Sequence, residues 1–224
     1  MKVLNLYAGI GGNRKLWEDV EVTAVEIDPK IAEIYQDFFP DDIVVVGDAH
    51  QYLLDHCKEF DFVWSSPPCP THSVTNSFLD AQGVIRYPDM SLWQEIIYLK
   101  HRYYGLWCVE NVKSYYEPLY PPTEIGRHYC WANFLIASFR TSHNFNIANS
   151  RGSSRKGSDE YIKLLGKYHG FDLSHVNYSE RGLLLRNCVY PPIGKHILDC
   201  ARGNTQVPLT SFSITKRMEA GESG

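Results

Sequence analysis

Over residues 1–65 the chain alternates between short apolar runs and amphipathic stretches. KVLNLY (2–7) has the length and composition of a strand and runs into the glycine turn AGIGG, after which the pattern predicts a helix from about Arg14. VTAVEI (22–27) predicts a second strand. Asp28 then stands as N-cap to a helix with Pro29 at its first position, and this helix sets Ile31, Ile34, Tyr35, Phe38 and Phe39 on one core-facing stripe. DIVVV (42–46) predicts a third strand, HQYLLDHC a helix and FDFVW (60–64) a fourth strand. Such alternation implies an α/β fold with a parallel sheet and right-handed crossovers. Residues 66–89 are a long polar connection, too long to be idle in a compact domain and a candidate mobile loop. A helix from Met90 to Tyr104, with Leu92, Trp93, Ile96, Ile97 and Leu99 inward, leads to the strand LWCVEN (106–111). The pattern weakens after Phe134. NSRGSSRKGSDE (149–160) reads as an exposed loop before a short helix near Tyr161–Tyr168, and PPIGKHILDCA (191–201) as a helix followed by a fraying tail.

A length of 224 residues allows one substantial core, or one domain with a small appendage. No apolar run approaches the roughly 20 residues that span a bilayer, and Asn5 with the early glycines interrupts any signal-peptide core, so a cytoplasmic protein is expected. The cysteines at 57, 69, 108, 130, 188 and 200 form no CxxC pair and are expected as reduced thiols; Cys108, His128 and Cys130 show no structural zinc spacing, so no metal is expected. Net charge is −4, which alone argues against a nucleic-acid partner, but residues 1–112 carry 8 Lys/Arg against 17 Asp/Glu and residues 113–224 carry 14 against 9. A polyanion would meet the second half, unless the asymmetry is only solvated surface charge.

The candidate chemistry lies at predicted strand ends. SSPPCPTHS (65–73) places Cys69 among three prolines just past the fourth strand, where open α/β sheets hold their ligands. A thiolate nucleophile needs that fixed geometry, although a free cysteine is as readily a small buried hydrophobe. YAGIGG (7–12) lacks the third glycine of the dinucleotide fingerprint and by itself is also a plain tight turn. Glu26 and Asp48, at the ends of the second and third strands, suit an adenosine nucleoside without pyrophosphate; both are alternatively helix N-caps. Glu110 in VENV is a strand-end carboxyl whose desolvation is expected to raise its pKa and let it donate a hydrogen bond, the alternative being a salt-bridged acid.

In this order LYAGIGG, EID, GDA, SPPC, ENV, GRHYCWANF and RNCVYPPIGKHIL resemble the motif series of the cytosine-C5 DNA methyltransferases, over residues 2 to about 200. RYPDMSLWQEI, YYEPL and GRH extend the resemblance to the small phage and prophage type. It implies a Rossmann-like S-adenosylmethionine-dependent methyltransferase fold with a small C-terminal recognition subdomain. By position, Tyr7, Gly9, Gly11, Gly12, Glu26, Ile27, Asp48, Ala49 and Pro68 become cofactor contacts, with Asn187 and Val189 closing the pocket. Cys69 becomes the nucleophile that adds to C6 of a flipped-out cytosine, Glu110 the contact to its N3 and N4 edge, and Arg127 the contact to O2.

Three departures from the family pattern stand out: Pro70 where many relatives have glutamine, Tyr129 in the place of the second arginine of a pair, and only residues 135–185 where larger relatives carry an extensive target-recognition domain. The expected organisation is a catalytic domain over 1–134, a reduced recognition region over 135–185, a helix returning to the catalytic domain over 186–202 and a flexible tail over 203–224. Within the recognition region Arg151, Arg155 and Lys156 are the candidate DNA contacts. The expected partner is double-stranded DNA, bound by a monomer; a tRNA cytosine methyltransferase or a catalytically idle DNA-binding regulator are the competing readings.

Overall fold

In the computed structural model, which describes residues 1–139, 159–176 and 179–203, five strands line up in parallel. The first half follows the alternation of the sequence: β1 (Lys2–Leu6), β2 (Glu21–Glu26), α1 (Pro29–Phe38), β3 (Ile43–Val46), α2 (Ala49–His56) and β4 (Phe62–Ser65). Asp28 caps α1 by accepting from the Lys30 and Ile31 amides, and Pro29 opens it. The connection after β4 contains one short helix, α3 (Asn76–Asp80), before α4 (Ser91–Arg102) and β5 (Leu106–Val112).

The helix expected from Arg14 is instead a single 3-10 turn, Arg14–Leu16. It stops because Trp17 turns inward, 4% exposed, and its indole N–H donates to the Gly194 carbonyl at 3.0 Å. The face a longer helix would cover is taken by α7 (Pro191–Ala201). Two further strands complete the sheet, β6 (Thr123–Ile125) and β7 (His128–Ala132), and two further helices, α5 (Asp159–His169) and α6 (Arg181–Asn187), precede α7.

The sheet order is β3-β2-β1-β4-β5-β7-β6, with β7 antiparallel to both β5 and β6. This is the Rossmann-like order of S-adenosylmethionine-dependent methyltransferases. Side chains alternate across it. Val3, Val22, Phe62, Trp64, Cys108 and Cys130 pack under α7, whereas Leu4, Leu6, Val25, Val63, Trp107, Val109 and Trp131 pack under α2 and α4. Burial on both faces is why the parallel strands read as continuous apolar runs. Within α4 the inward stripe is Leu92, Trp93, Glu95, Ile96 and Leu99; Ile97, expected inside, is 44% exposed. Glu95 takes an inward place because Tyr7 and Ser65 donate to its two oxygens, both at 2.5 Å, and His50 Nδ1 lies 3.1 Å away. α5 and α6 share a core with α1 and the glycine turn through Ile10, Ile34, Leu165, Phe171, Leu185 and Cys188.

Candidate active site

Strand order reverses between β1 and β4, so a crevice opens beyond their C-terminal ends. The glycine turn leaves β1 on one side of it and the proline loop leaves β4 on the other. Tyr7 (φ 55°), Gly9 (φ 54°) and Gly11 (φ 81°) take left-handed backbone in quick succession, which folds the chain back sharply. A Cβ on Gly9 would meet nothing within 4 Å, while one on Gly12 would sit 2.2 Å from Cys188 Sγ and 2.5 Å from the Val189 carbonyl. Gly12 is thus where the 187–189 segment closes against the turn. Val189 is buried there and Asn187 exposed.

Glu26 ends β2 with both oxygens turned toward backbone N–H groups: Gly9 N donates to Oε2 at 2.9 Å and Asp28 N to Oε1 at 3.1 Å. The carboxylate braces the turn and the α1 entry together; the α1 cap is Asp28, not Glu26. Asp48 is an exposed N-cap of α2, accepting from Gln51 N at 2.8 Å. Between these acids Ile27 presents an apolar side chain that is 68% exposed, and Ala49 is buried at the start of α2. An open glycine cradle, two strand-end carboxylates and an exposed aliphatic side chain are a donor set that fits a nucleoside.

Across the crevice, Cys69 O accepts from the His72 and Ser73 amides at 3.0 and 3.2 Å, so the nucleophile candidate opens a tight turn. Asn111 of β5 fixes the loop from below, its amide donating to the Pro67 carbonyl at 2.9 Å in a buried bond. Asn76 ties down the far side through the Pro70 carbonyl at 2.8 Å, and His72 Nδ1 meets the Tyr116 hydroxyl at 2.6 Å. The first part of the 66–89 connection is therefore lashed to neighbouring elements, and the later part is tied as well, the Tyr115 hydroxyl donating to the Arg86 carbonyl at 3.1 Å and the Asp89 amide to Thr71 Oγ1 at 2.9 Å; Phe78, Ile85 and Tyr87 are strongly exposed. Pro68 is exposed at the lip. Cys69 is half-buried, whereas the other five cysteines are buried. Burial and then the Glu110 charge push its thiol above the ordinary value, partly offset by its own backbone amide and by Arg127.

Glu110 is buried near the end of β5, and here the sequence expectation is corrected. Desolvation does press its pKa upward, but His128, the Ser66 hydroxyl and Arg127 outweigh it and hold the carboxyl below its ordinary value. Ser66 Oγ donates to Oε2 at 2.9 Å and His128 Nδ1 contacts Oε1. Arg127 donates from Nε to His128 Nε2 and from Nη2 to the Arg186 carbonyl, both at 2.9 Å. Sequence reasoning weighed His128 only as a zinc ligand and did not connect it or Ser66 with Glu110. The available signal was strand alternation through GRHYCW, which turns His128 and Cys130 to one face and Tyr129 to the other. Tyr129 accordingly packs against Trp131, with ring centroids 6.0 Å apart, and has no part in the carboxylate's surroundings. Arg151, Arg155 and Lys156 lie outside the described residues. No group of three or more His, Cys, Asp or Glu able to hold a metal occurs among the described residues, and no helix there is long and apolar enough to cross a membrane.

Comparison with known proteins adds a family. No curated protein matches the sequence. Among solved structures, a DNMT2 variant from Spodoptera frugiperda is 26% identical, with 50% of this chain and 35% of that one aligned at a TM-score of 0.37. A putative DNA modification methyltransferase encoded within a prophage of E. coli is 20% identical, with 52% and 33% aligned at a TM-score of 0.35. A conserved hypothetical protein of Streptococcus pyogenes is 16% identical, with 58% and 83% aligned at a TM-score of 0.38. The chain thus spans about a third of the length of the two methyltransferases. The family profile described as C-5 cytosine-specific DNA methylase matches residues 1–116, which takes in the glycine turn, both strand-end acids, the proline loop and Glu110. A match over more than half of the 224 residues settles the relationship: the chain belongs to the C-5 cytosine-specific DNA methylase family.

Proposed function

We propose that the protein methylates C5 of cytosine in double-stranded DNA, with Cys69 as the nucleophile. The observation that carries this reading is the pairing, at the switch point of the sheet, of a half-buried cysteine in a proline-stiffened turn with a buried carboxylate held ionised. Cytosine C5 is too electron-poor to take a methyl group unaided, so an activating addition at C6 must come first. The Cys69 thiolate forms the sulfur–C6 bond while the C5–C6 π pair shifts toward C5, leaving an enamine-like carbon. The proton that leaves Cys69 ends at N3, where the ring takes up the displaced charge; Glu110, as a carboxylate, accepts from the N4 amino group and from that N3–H, while Arg127 donates to O2. After methylation water removes the C5 proton, and the sulfur–C6 bond breaks to restore the ring. The base must leave its stack to reach this thiol.

S-adenosylmethionine, when bound, supplies the electrophilic methyl group. The residues present fit it: Glu26 for the ribose hydroxyls, Asp48 for the adenine amino group, Ile27 and Ala49 as apolar surface, Tyr7, Gly9, Gly11 and Gly12 as the turn that admits it, and Pro68, Asn187 and Val189 around the crevice. The raised thiol pKa adds a constraint, for Cys69 must lose its proton when the base arrives and not before. The test is nucleoside mass spectrometry on cells expressing the protein. This reading expects 5-methyl-2′-deoxycytidine in DNA; 5-methylcytidine in tRNA instead would move the activity to RNA, and neither product from a protein that binds the cofactor would mean an idle binder.

A further inference from the structure

We propose that His128 is a positioning residue for Glu110: as the Nδ1–H tautomer it aims the carboxylate into the site, and Arg127 fixes that tautomer. The argument rests on donors that cannot act as acceptors. An arginine Nε–H only donates, so His128 Nε2, 2.9 Å from Arg127 Nε, must present its lone pair. The ring proton is then on Nδ1, the nitrogen in close contact with Glu110 Oε1. The opposite side is built the same way. The Trp64 indole only donates, at 2.8 Å to Ser66 Oγ, so the Ser66 hydroxyl proton turns to Glu110 Oε2 at 2.9 Å. Both sides therefore converge on one buried carboxylate, with a close Nδ1 contact at Oε1 and a hydroxyl hydrogen bond at Oε2. His128 reaches it as a diagonal neighbour, since Glu110 pairs with Cys130 and Val112 with His128 across β5 and β7.

Glu110 lies below its ordinary pKa despite its own desolvation; the side-chain contacts of His128 and Ser66, which a neutral imidazole and a hydroxyl can both make, act in that direction together with the Arg127 charge. The other titratable groups facing this corner are Cys69 on the proline loop, Cys130 on β7 and His169 at the end of α5, whose pKa is pushed down to about 4 by burial and by the nearby Arg127 and His128. None of these supplies a second donor to Oε1 in the structure.

The inference rests on the proposed cytosine chemistry for its kinetic arm only. Methyl incorporation into bulk genomic DNA would be followed against pH for the wild type, H128A and H128N, where the asparagine amide replaces the Nδ1 donor. Removing one hydrogen bond to a charged group should lower kcat in H128A by about tenfold to a hundredfold with KM for DNA little changed. Losing the neighbour that favours ionisation should move the acidic limb to higher pH, and H128N should restore most of both. A folded H128A with the wild-type limb, or an H128N no better than H128A, would overturn the proposal. Carbon-13 carboxyl NMR of glutamate-labelled protein, with the Glu110 signal assigned by its loss in E110Q, gives an answer free of activity. An upward move of the Glu110 midpoint in H128A supports the proposal and an unmoved midpoint overturns it, even if the wild type methylates nothing.

Discussion

Cys69 shows how one side chain can be both poised and held back. Of the six cysteines it alone is not buried, so a thiol reagent applied to the folded protein should label Cys69 and leave the other five untouched, as peptide mass spectrometry can check. Burial and the Glu110 charge keep it a thiol, so labelling should rise with pH about a midpoint above that of an ordinary cysteine. Replacing Glu110 by glutamine removes one of the two upward influences and should bring that midpoint down, giving faster labelling at any pH below it; a slower or unchanged rate would count against the assignment. The place of both residues was legible in the sequence, because three prolines after an apolar run and a glutamate closing another are local signals. The ionisation of Glu110 was not. Its partner His128 arrives on a different strand, and desolvation alone gives the wrong sign.

At the scale of elements, the glycine turn is rigid because it is crowded. A Cβ at Gly12 would collide with the Val189 backbone as well as with Cys188, so Gly12→Ala should cost about 1–3 kcal/mol in urea unfolding, whereas Gly47→Ala, with nothing within 4 Å of its added carbon, should stay within about 0.5 kcal/mol. Equal effects would place the crowding elsewhere. The α2–α4 contact carries a pH signature. Its hydrogen bond to buried Glu95 raises the His50 pKa, so protonated His50 stabilises the fold fully below its unfolded value of about 6.5, and that contribution disappears as pH rises through the higher folded value. His50→Gln should therefore lose more stability than the wild type at about pH 6 and little at about pH 9; equal losses at both would contradict it. The β1–α4 region was legible because each strand and helix there is a local period. The hairpin of β6 and β7 was not, since three-residue and five-residue antiparallel strands leave too short a pattern, and Ile97 was misplaced because a carboxylate with three polar neighbours displaced it from the core face.

For the molecule as a whole, the parallel sheet gathers the glycine turn and the proline loop at one switch point, and the proposed reading has the basic half of the chain meet the polyanion. Arg151, Arg155 and Lys156 stand among glycines and serines in a stretch suited to phosphates, so neutralising all three should weaken binding to every DNA sequence alike and flatten its salt dependence. A changed methylation motif in that variant would show that they read bases instead. Residues 135–185 offer few readers, each bidentate contact supplying about 1–3 kcal/mol of discrimination, so a short or degenerate site is expected and a strict six-base motif would refute it. The central claim is that Cys69 bonds to C6 before C5 is methylated, and trapping tests it most directly. DNA carrying 5-fluorocytosine at the methylated position, incubated with protein and S-adenosylmethionine, should give a complex that survives denaturing electrophoresis, because fluorine cannot leave as a cation. The bond should map to Cys69 and vanish in Cys69→Ser. A protein that methylates the unfluorinated substrate but forms no such adduct, or forms it in Cys69→Ser, would contradict the account.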